Sequence, residues 1–305
     1  MKFIPDNEIE VLDFLAKKLA PISNSSIRNL LKSRRVSVDK TLVVRTDHKL
    51  RPGQVVEIYD KEKPLPAEAR FKIFYEDEFL IVVEKPPGLL TVGRDEPKEN
   101  EKTLFKFISQ YLKDKTRGKG KVFIVHRLDR EVSGVMVFAK SEEIKDLLQQ
   151  NWSENEKRYF ALVEGAPKQD EGTIESYLRE NSAGIVYSTK EKFQSYHSIT
   201  HYRVLKKFKS HTLLDIKIDT GRKHQIRVHL SDLGCPIVAD KKYGAVGGSP
   251  IKRMGLHAYF LRFTHPETGE TLKFETKAPE VFIKFGNNPK LPSVSGKPTT
   301  NKKPI

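Results

Sequence analysis

The chain has 305 residues, of which 37% are hydrophobic, so it can fill a substantial core and form one large domain with a small one. Lys and Arg number 55 against 40 acids, and this formal net charge of +15 favours a polyanionic partner such as nucleic acid, although many soluble proteins are basic. A single cysteine, Cys235, excludes an internal disulfide framework, and with no visible signal peptide or membrane span we expect a cytoplasmic protein without membrane contact.

The first part of the chain has the pattern of a small α/β unit. Apolar residues recur at helical spacing in VLDFLAKKLA, residues 11–20, and SSIRNLLKSRR, residues 25–35, begins with serines that can cap a second helix. The alternating VSVDKTLVV predicts a strand, and the Pro-Gly turn in RPGQVVEIYD precedes another. We predict a separate domain over residues 1–62.

Basic residues are concentrated in this unit, since the stretch 28–51 contains eight basic and two acidic residues. Part of the second helix is predicted to be cationic, with its apolar side chains turned inward. The candidates for contact with a phosphate backbone are Arg28, Lys32, Arg34 and Arg35. A merely solvated face is the alternative, but the order of helix, turn, strand and Pro-Gly turn resembles the ribosomal-protein-like αL RNA-binding domain. That pattern usually has Gly at position 34 and Asn-Gly at 39–40, where this chain differs.

A charged, proline-containing linker over residues 63–70 precedes a larger domain, predicted over residues 71–286. The strand-like runs of this domain are joined mainly by turns, and they include FKIFYEDEFLIVVEK, KVFIVHRLD, GVMVFAKS, RYFALVEG, THYRVLKKF and HTLLDIKID. Helical spacing is found in SEEIKDLLQQNW and HQIRVHLSDLG. This order predicts an α+β fold with a mixed, mostly antiparallel sheet. Residues 287–305 are basic and polar and are predicted to form a disordered tail.

The stretch HRLDREVSG, residues 126–134, is the first candidate site. Its polar loop joins two apolar runs, and strand ends hold side chains more rigidly than free loops do. The loop carries His126, Arg127 and Asp129. Taken alone, Asp129 is more typical of a turn or capping residue held by Arg127 than of a reactive carboxylate.

The second candidate is IDTGRKHQIRVHL, residues 218–230. A strand is predicted to end at Asp219, and after a Thr-Gly turn a helix carries His224 and Arg227. Bound phosphate would suit the amides of the helix N-terminus together with Arg222, and Arg227, one turn on, could reach a carboxylate. The alternative is an amphipathic helix with ordinary surface cations.

Other chemistries have less support. Tyr159 lies in an otherwise apolar strand, where packing is its usual role. The side chains that could bind a metal are His126, Asp129, His224, His229 and His257. Nearby arginines would repel a cation, and His224 and His229, five residues apart, do not share a helical face. No glycine-rich phosphate loop follows a strand and Ser133 lacks a nucleophile-elbow setting, so we expect no metal, no nucleotide cofactor and no serine hydrolase.

Together these motifs resemble the RluA-like family of RNA pseudouridine synthases. HRLDREVSG matches that family's HRLD-x-x-T/S-G loop, and TGRKHQIRVHL matches its TGR-x-HQ-I/L-R-x-H segment. FYEDEFLIVVEKPPGLL resembles its opening hairpin, KRYFALVEG its tyrosine strand and MGLHAYFLRFTHP its late LHA segment. The matches keep the family's order from about residue 71 to residue 266, so accident is implausible.

The resemblance implies the pseudouridine synthase fold and an isomerase that converts uridine to pseudouridine in structured RNA, ribosomal rather than transfer RNA. Asp129 would act on the uridine sugar, as a nucleophile at C1′ or as a base at C2′, and Arg227 would pair with it and keep it ionised. Tyr159 would stack on the uracil, Leu256 would close the other side of the pocket, and Arg127 would enter the gap left by the extruded nucleotide. The further substrate-binding candidates are His126, Arg222, His224 and Gln225.

The alternative function is that of a noncatalytic RNA-binding or ribosome-assembly protein, which has no need for Asp129, Tyr159 and Arg227 together. After GTIES the chain has a longer polar segment where the family often has Pro-Ile-x-Arg, so substrate choice is expected to differ there. We expect a monomer, because the sequence has no coiled-coil pattern and no exposed apolar stripe.

Overall fold

The computed structural model describes residues 1–33, 35–39, 41–43, 45–60, 71–93, 101–245 and 251–286. The chain divides into two compact units, one formed by residues 1–70 and 110–120 and the other by residues 71–109 and 121–305. The predicted linker at 63–70 and the predicted tail at 287–305 lie outside the described residues. Within the described part of the chain, no helix is long and apolar enough to cross a membrane.

The first unit combines two helices with short antiparallel strands. Its helices are α1 (Val11–Lys18) and α2 (Asn24–Lys32). Its strands are β1 (Lys2–Phe3), β2 (Ile9–Glu10), β3 (Val36–Val38), β4 (Thr41–Leu42), β5 (Lys49–Leu50) and β6 (Val56–Ile58). One sheet has the order β1-β6-β3-β4, and β2 pairs with β5. Apolar side chains from both helices and from the strands form a single buried cluster.

Helix α2 has the amphipathic character that its sequence predicts. The Ser23 hydroxyl accepts a hydrogen bond from the Ser26 amide at 3.2 Å and so caps the helix. Ile27 is buried on the inner side, whereas Arg28 and Lys32 are exposed. These two cations are therefore available to a partner.

Two features of this unit differ from the expectations. Helix α2 ends at Lys32, so Arg35 lies beyond it, and the Arg35 Nε donates a hydrogen bond to the Tyr59 carbonyl at 2.8 Å. The alternating segment 36–44 is not one strand, because β3 and β4 form an antiparallel pair and Asp39 has a left-handed φ of 48° after β3. Arg34 lies outside the described residues.

The second unit is built on a large sheet. Its strands are β7 (Lys72–Glu76), β8 (Leu80–Lys85), β9 (Phe123–Ile124), β10 (Ser133–Ala139), β11 (Glu156–Glu164), β12 (Glu171–Glu180), β13 (Val186–Thr189), β14 (Tyr196–Lys207), β15 (His211–Ile218), β16 (Leu256–Thr264) and β17 (Thr271–Glu275). The helices are α3 (Leu104–Lys115), α4 (Glu142–Gln150), α5 (Gln225–Asp232) and α6 (Glu280–Gly286), with 3-10 turns at Trp152–Glu154 and Lys241–Tyr243. The division between the two units passes through α3.

The strand order of this sheet is β13-β12-β14-β15-β11-β16-β10-β8-β7, with β17 paired to β16 and β9 paired to β10. Among the described strands, β10 and β16 form the parallel pair and the other ladders are antiparallel. The predicted α+β fold with a mixed, mostly antiparallel sheet is confirmed. The parallel pair brings the loop before β10 to the centre of the sheet.

Helix α5 packs on one face of the sheet, which we call the front face. His229 of α5 is 2.9 Å from the hydroxyl of Ser176 on β12 and 2.9 Å from the hydroxyl of Thr200 on β14. Thr200 pairs with Ile218 of β15, and Tyr159 of β11 pairs with Ile216 two residues away. Side chains two residues apart on a strand share a face, so Tyr159 also lies on the front face.

Candidate active site

The loop between β9 and β10, residues 125–132, carries Asp129. Part of its backbone is held by Lys85, a fully buried side chain at the end of β8. The Lys85 Nζ donates to the carbonyl oxygens of Arg130 at 3.0 Å, Leu89 at 2.6 Å and Pro86 at 3.0 Å. Burial lowers the pKa of Lys85 to about 7, although nearby carboxylates oppose this shift.

Thr91 holds the backbone of the same loop at Leu128, two residues before Arg130. The Thr91 hydroxyl donates to the Leu128 carbonyl at 2.8 Å and is 3.2 Å from the Leu128 amide. The apolar side chains of the loop, Val125, Leu128 and Val132, are buried, whereas several of its polar side chains face solvent. Arg127 is exposed, and the side chain of Asp129 is 25% exposed.

Gly134 allows this loop to approach the centre of the sheet. Its φ is 132°, and a Cβ atom there would lie 2.1 Å from the carbonyl oxygen of Ala258. Gly134 pairs with Ala258 of β16, and Ala258 pairs in turn with Tyr159 of β11. The glycine of HRLDREVSG therefore lets the Asp129 loop lie close to the strand that carries Tyr159.

Arg227, in the first turn of α5, binds two carboxylates. Its Nη1 donates to Asp129 Oδ2 at 2.8 Å, while its Nε and Nη2 donate to the two oxygens of Asp240 at 2.7 Å and 2.9 Å. Burial lowers the pKa of the Arg227 guanidinium, but the hydrogen bonds and charges of Asp240 and Asp129 outweigh burial and raise it. The predicted contact between Arg227 and Asp129 is present, and Asp240 fixes the guanidinium on its other side.

His224 lies immediately before α5, with a left-handed φ of 55°. Its Nε2 is 3.6 Å from Asp129 Oδ2, and its Nδ1 is 2.7 Å from the hydroxyl of Tyr243. Burial lowers the pKa of His224 to about 4, and the charge of Asp129 offsets this only in part. The ring is therefore neutral at neutral pH, and it touches the same carboxylate as Arg227.

Tyr159 and Leu256 contribute apolar surface to the front face. Tyr159 is half-buried, and burial followed by the charge of Asp129 raises the pKa of its hydroxyl. Leu256 is buried and lies two residues before Ala258, the residue that pairs with Tyr159, so Leu256 and Tyr159 share a face. The arrangement offers a flat aromatic ring and an aliphatic side chain on the front face, and the hydroxyl of the aromatic residue lies within reach of the Asp129 charge.

His126 is not part of this cluster. Its ring stacks on Trp152 with the ring centroids 4.4 Å apart, and its Nε2 accepts a hydrogen bond from the Val137 amide at 3.2 Å. Burial, and then the charge of Lys157, lower the pKa of His126 to about 3. These contacts give His126 a packing position at the start of the loop and do not favour the expected substrate-binding role.

Gln225 is also occupied within the protein. Its Nε2 donates to the Ile199 carbonyl at 2.9 Å and to the Thr200 hydroxyl at 3.0 Å. Its Oε1 accepts from the Thr220 hydroxyl at 2.8 Å and from the Arg222 amide at 3.0 Å. Gln225 therefore locks the turn before α5 instead of facing a substrate, and it occupies the Arg222 amide that was expected to suit a phosphate.

Arg222 and Arg127 lie at the surface. The Arg222 guanidinium lies over the ring of Tyr196, 5.4 Å from its centroid, and its Nε donates to the His197 carbonyl at 3.5 Å. Tyr196 itself is 63% exposed. Both arginines are open to solvent and stay candidates for contact with RNA.

The histidines considered as metal ligands have separate settings. His257 lies 2.6 Å from the Ser133 hydroxyl and 2.7 Å from the Thr276 hydroxyl, whereas His229 is held by Ser176 and Thr200. Within the described ranges, no three His, Cys, Asp or Glu side chains are grouped as metal ligands would be. The side-chain geometry gives no support to the metal interpretation.

The sequence did not single out Asp240, Tyr243 or Lys85. Asp240 comes directly after the apolar run PIVA, and Asp129 comes shortly after the apolar run VFIV. An acidic residue close to the end of an apolar run is the feature that the two positions share. Lys85 ends the apolar strand LIVVEK directly before Pro-Pro-Gly, and a lysine in such a run is the one signal of a buried ammonium. Tyr243 carries no comparable signal.

Comparisons with known proteins agree with this geometry. The family model described as RNA pseudouridylate synthase matches residues 79–232. A protein of Aquifex aeolicus named uncharacterized RNA pseudouridine synthase is 37% identical, over 92% of this chain and 94% of that protein. The ribosomal large subunit pseudouridine synthase D of Pseudomonas aeruginosa is 32% identical, over 89% of this chain and 89% of that protein.

Two solved human structures are similar in fold and sequence. Human RNA Pseudouridylate Synthase Domain Containing 4 superposes with a TM-score of 0.59 at 25% identity, covering 70% of this chain and 91% of that chain. Human RNA Pseudouridylate Synthase Domain Containing 1 gives a TM-score of 0.56 at 27% identity, covering 70% and 86%.

Proposed function

The chain belongs to the RNA pseudouridine synthase family, and on that premise we propose that it isomerises uridines of ribosomal RNA with Asp129 as its catalytic carboxylate. It is an isomerase, and its substrate is RNA. Ribosomal RNA is the proposed substrate class because the Pseudomonas aeruginosa relative is named for the large ribosomal subunit.

The Asp129 carboxylate has the setting that this role requires. Arg227 donates to Asp129 Oδ2 at 2.8 Å from a buried guanidinium, while a quarter of the Asp129 side chain is exposed. The fixed guanidinium orients one oxygen of the carboxylate, and the remaining exposure of the side chain leaves an approach for substrate. This pair is the observation that carries the proposal.

The reaction conserves atoms. The N1–C1′ bond of uridine breaks, the base turns, and C5 bonds to C1′, while the C5 proton goes to water and N1 takes up a proton. Asp129 acts either as a nucleophile at C1′ or as a base that removes the C2′ proton and returns it. Both routes need an ionised carboxylate and neither needs an oxidant.

Tyr159 is proposed to stack on the uracil while the base is detached. A flat ring stabilises a planar base in either orientation, and the aliphatic Leu256 on the same face limits its escape. The raised pKa of Tyr159 keeps its hydroxyl protonated at neutral pH. The aromatic ring is thus a neutral platform beside an anion.

Base extrusion is proposed to depend on Arg127, which is exposed on the same loop as Asp129. Taking a nucleotide out of its stack costs a few kcal/mol, and a flat guanidinium in the vacated gap can replace part of the lost stacking. Contacts between cationic side chains and the RNA backbone offset the remainder.

The first unit is proposed to bind RNA through the exposed Arg28 and Lys32 of α2. Replacing both with glutamine should weaken RNA binding. It should also reduce the magnitude of the slope of log affinity against log salt concentration by up to about two, because each lost phosphate contact contributes about one. Lys17→Gln, an exposed lysine on α1, serves as the control. An equal loss in the control would indicate a diffuse charge effect instead of a site on α2.

The direct test measures tritium release from RNA labelled at uridine C5. The wild-type protein should release tritium from ribosomal RNA fragments, and Asp129→Asn should lower the rate by at least about 10³-fold because it removes the reacting carboxylate. Asp146→Asn, an exposed carboxylate on α4, should leave the rate unchanged.

The outcomes separate the hypotheses. Release that persists in Asp129→Asn would remove Asp129 from its role, and release from transfer RNA but not ribosomal RNA would overturn the substrate class. Tight binding without release from any cellular RNA would favour the noncatalytic RNA-binding protein.

A further inference from the structure

The contacts made to the Asp129 carboxylate are one-sided. Arg227 Nη1 lies 2.8 Å and His224 Nε2 lies 3.6 Å from the same oxygen, Oδ2. Within the described residues, no side chain donates a hydrogen bond to Oδ1. Arg227 therefore fixes one oxygen of the carboxylate, and the other has no side-chain donor among those residues.

The hydroxyl of Tyr243 decides which nitrogen of His224 carries the proton. The Val186 amide can only donate, and it donates to the Tyr243 oxygen at 3.1 Å. The Tyr243 proton is then best used towards His224 Nδ1, 2.7 Å away, so that both groups are satisfied. A neutral ring whose Nδ1 accepts a hydrogen bond carries its proton on Nε2.

The charges around His224 are consistent with this tautomer. Asp129 is the acidic group facing the ring, and Arg227, Lys223 and Lys242 disfavour a second proton. Burial raises the pKa of Tyr243, so its hydroxyl keeps the proton that it donates. An ionised carboxylate only accepts hydrogen bonds, so an Nε2 lone pair facing Asp129 would be repelled, whereas an Nε2 proton is attracted.

We propose that His224 is a positioning residue that, in the Nε2-protonated tautomer imposed by Tyr243, holds Oδ2 of Asp129 together with Arg227, so that Asp129 meets the sugar through Oδ1. The proposal rests on the proposed role of Asp129. At 3.6 Å the His224 contact is a charge–dipole attraction that needs a shift of roughly 0.5 Å to become a hydrogen bond.

The relay begins in the part of the chain that departs from the family pattern. Val186 opens β13, within the longer segment after GTIES, and its amide belongs to the strand that packs against α5. The chain of contacts runs from the Val186 amide through Tyr243 to His224 and Asp129. Strand β13 thus sets a proton position beside the proposed catalytic carboxylate.

The tautomer can be measured in the free enzyme, without RNA. The full-length protein, with ¹⁵N-labelled histidine, is examined by long-range ¹H–¹⁵N correlation at neutral pH, and the His224 signals are assigned by their loss in His224→Gln. We expect a neutral ring protonated at Nε2. A ring protonated at Nδ1, or doubly protonated at neutral pH, would overturn the proposal.

Tyr243→Phe keeps the ring that lies under Arg227 and removes only the hydroxyl. The His224 signals should become those of a tautomer mixture, and the midpoint of its titration should rise because the neutral ring loses its donor. We expect kcat to fall about tenfold with little change in KM, since such supporting contacts are typically worth 10- to 100-fold.

The matched control is Tyr259→Phe, which removes a hydroxyl that donates to Asp215 at 3.0 Å. Tyr259 stacks on Phe160, the neighbour of Tyr159 in the strand, so it lies on the opposite face. The control should leave kcat and the His224 signals unchanged. Equal loss of kcat in both variants, or an unchanged kcat in Tyr243→Phe, would contradict the proposal.

His224→Gln and His224→Leu separate positioning from packing. Gln keeps an N–H donor near the place of Nε2 and should retain several-fold more activity than Leu at equal folded fraction. Equal activity of the two would assign His224 to packing alone. A crystal structure with bound pseudouridine product should show Oδ1 as the oxygen nearer C1′, and Oδ2 in that place would overturn the assignment. Activity of Asp129→Asn would instead refute the catalytic role, whatever the tautomer.

Discussion

The two motif segments that meet at Asp129 are held in opposite ways. The loop 125–132 is held through its backbone by Lys85 and Thr91, which belong to other segments, and its polar side chains Arg127 and Asp129 are accessible to solvent. The segment 219–232 is held by its own side chains, since Gln225 and Arg227 are almost fully buried and hydrogen-bonded.

This difference explains why similar motif letters have different roles. In a segment whose backbone is held by other segments, polar side chains are free to meet a substrate, which is the role proposed for Asp129 and Arg127. In a segment that holds itself, most polar side chains are consumed by the fold, and one nitrogen of Arg227 with one of His224 is what reaches the carboxylate. Substitutions in the segment 219–232 should therefore mainly lower the free energy of unfolding, whereas substitutions in the loop 125–132 should mainly lower catalytic activity.

The largest effect on stability is expected from Asp240→Ala. It removes two hydrogen bonds of 2.7 Å and 2.9 Å and leaves the buried Arg227 with Asp129 as its remaining carboxylate. Breaking a buried pair on one side typically costs about 3–5 kcal/mol. Urea unfolding monitored by circular dichroism measures this loss.

Asp240→Asn, which keeps one acceptor for the guanidinium, should lose less than the alanine variant. If Asp240→Ala lowers the free energy of unfolding by less than about 1 kcal/mol, the Arg227–Asp240 pair does not stabilise the segment 219–232 as described, and the contrast between the two segments would weaken.

The next effect is a loss of stability in acid. Burial lowers the pKa of His229 to about 4, against 6.5 in the unfolded chain, so the unfolded state binds more protons between these values. The stability due to the neutral ring is fully present above pH 6.5 and is lost as pH falls towards 4, by up to about 3 kcal/mol. The slope of unfolding free energy against pH measures this.

Two variants identify the source of the slope. His229→Gln should flatten it by about one proton, whereas Ser176→Ala, which removes a partner 2.9 Å from the ring, should lower stability at neutral pH and keep a slope. An unchanged slope of unfolding free energy against pH in His229→Gln would show that protonation of other groups causes the loss of stability in acid.

Lys85→Met tests how far the contact of Lys85 with the backbone stabilises the loop 125–132. It removes the Lys85 donor from the carbonyls of Leu89, Pro86 and Arg130, of which Arg130 keeps the Gly88 amide at 2.8 Å. It also relieves the cost of burying an amine, so the net loss of stability should be about 1–3 kcal/mol. Activity should fall further than stability does, because the loop that presents Asp129 loosens. Tritium release at equal folded fraction, with Lys119→Met as the exposed control, separates the two effects.

Lys85 also has a signature at alkaline pH. Its pKa of about 7 in the folded protein lies below its ordinary value of 10.5, so the unfolded state binds more protons between them and stability rises with pH over that window. Lys85→Met should remove this rise, and its persistence would show that the buried amine is not its cause.

The sequence predicted the outline of the fold because alternating and helical periodicity are local signals. Helices α2, α4 and α5 and the hairpin β7–β8 follow such patterns directly. The pairing of β10 with β16 joins residues more than a hundred positions apart, so no local pattern reveals it. Hairpin β3–β4 was misjudged for a related reason, since a single left-handed residue interrupts an otherwise regular alternation.

In the candidate site, helical spacing predicted only that Arg227 could reach a carboxylate, and the family resemblance implied that this carboxylate is Asp129. The roles of His126 and Gln225 could not be predicted, because a polar side chain in a motif faces substrate or protein according to long-range neighbours such as Trp152 and Ile199. Asp240 was missed for the same reason, as its partner is defined only after α5 is packed.

The smallest effects on stability are expected from the two exposed arginines, and these variants give the sharpest view of the outer surface. Arg127→Ala and Arg222→Ala should each change the unfolding free energy by less than about 0.5 kcal/mol, because both side chains are open to solvent. If Arg127 fills the gap of an extruded nucleotide, its loss should lower kcat several-fold and leave KM nearly unchanged. If Arg222 on Tyr196 contacts the RNA backbone, its loss should raise KM and reduce the salt slope by about one, with kcat retained. Equal effects of the two variants on kcat and KM would mean that Arg127 and Arg222 belong to one RNA-binding surface. The contrast between the loop 125–132 and the segment 219–232 would then apply only to the way their buried parts are held.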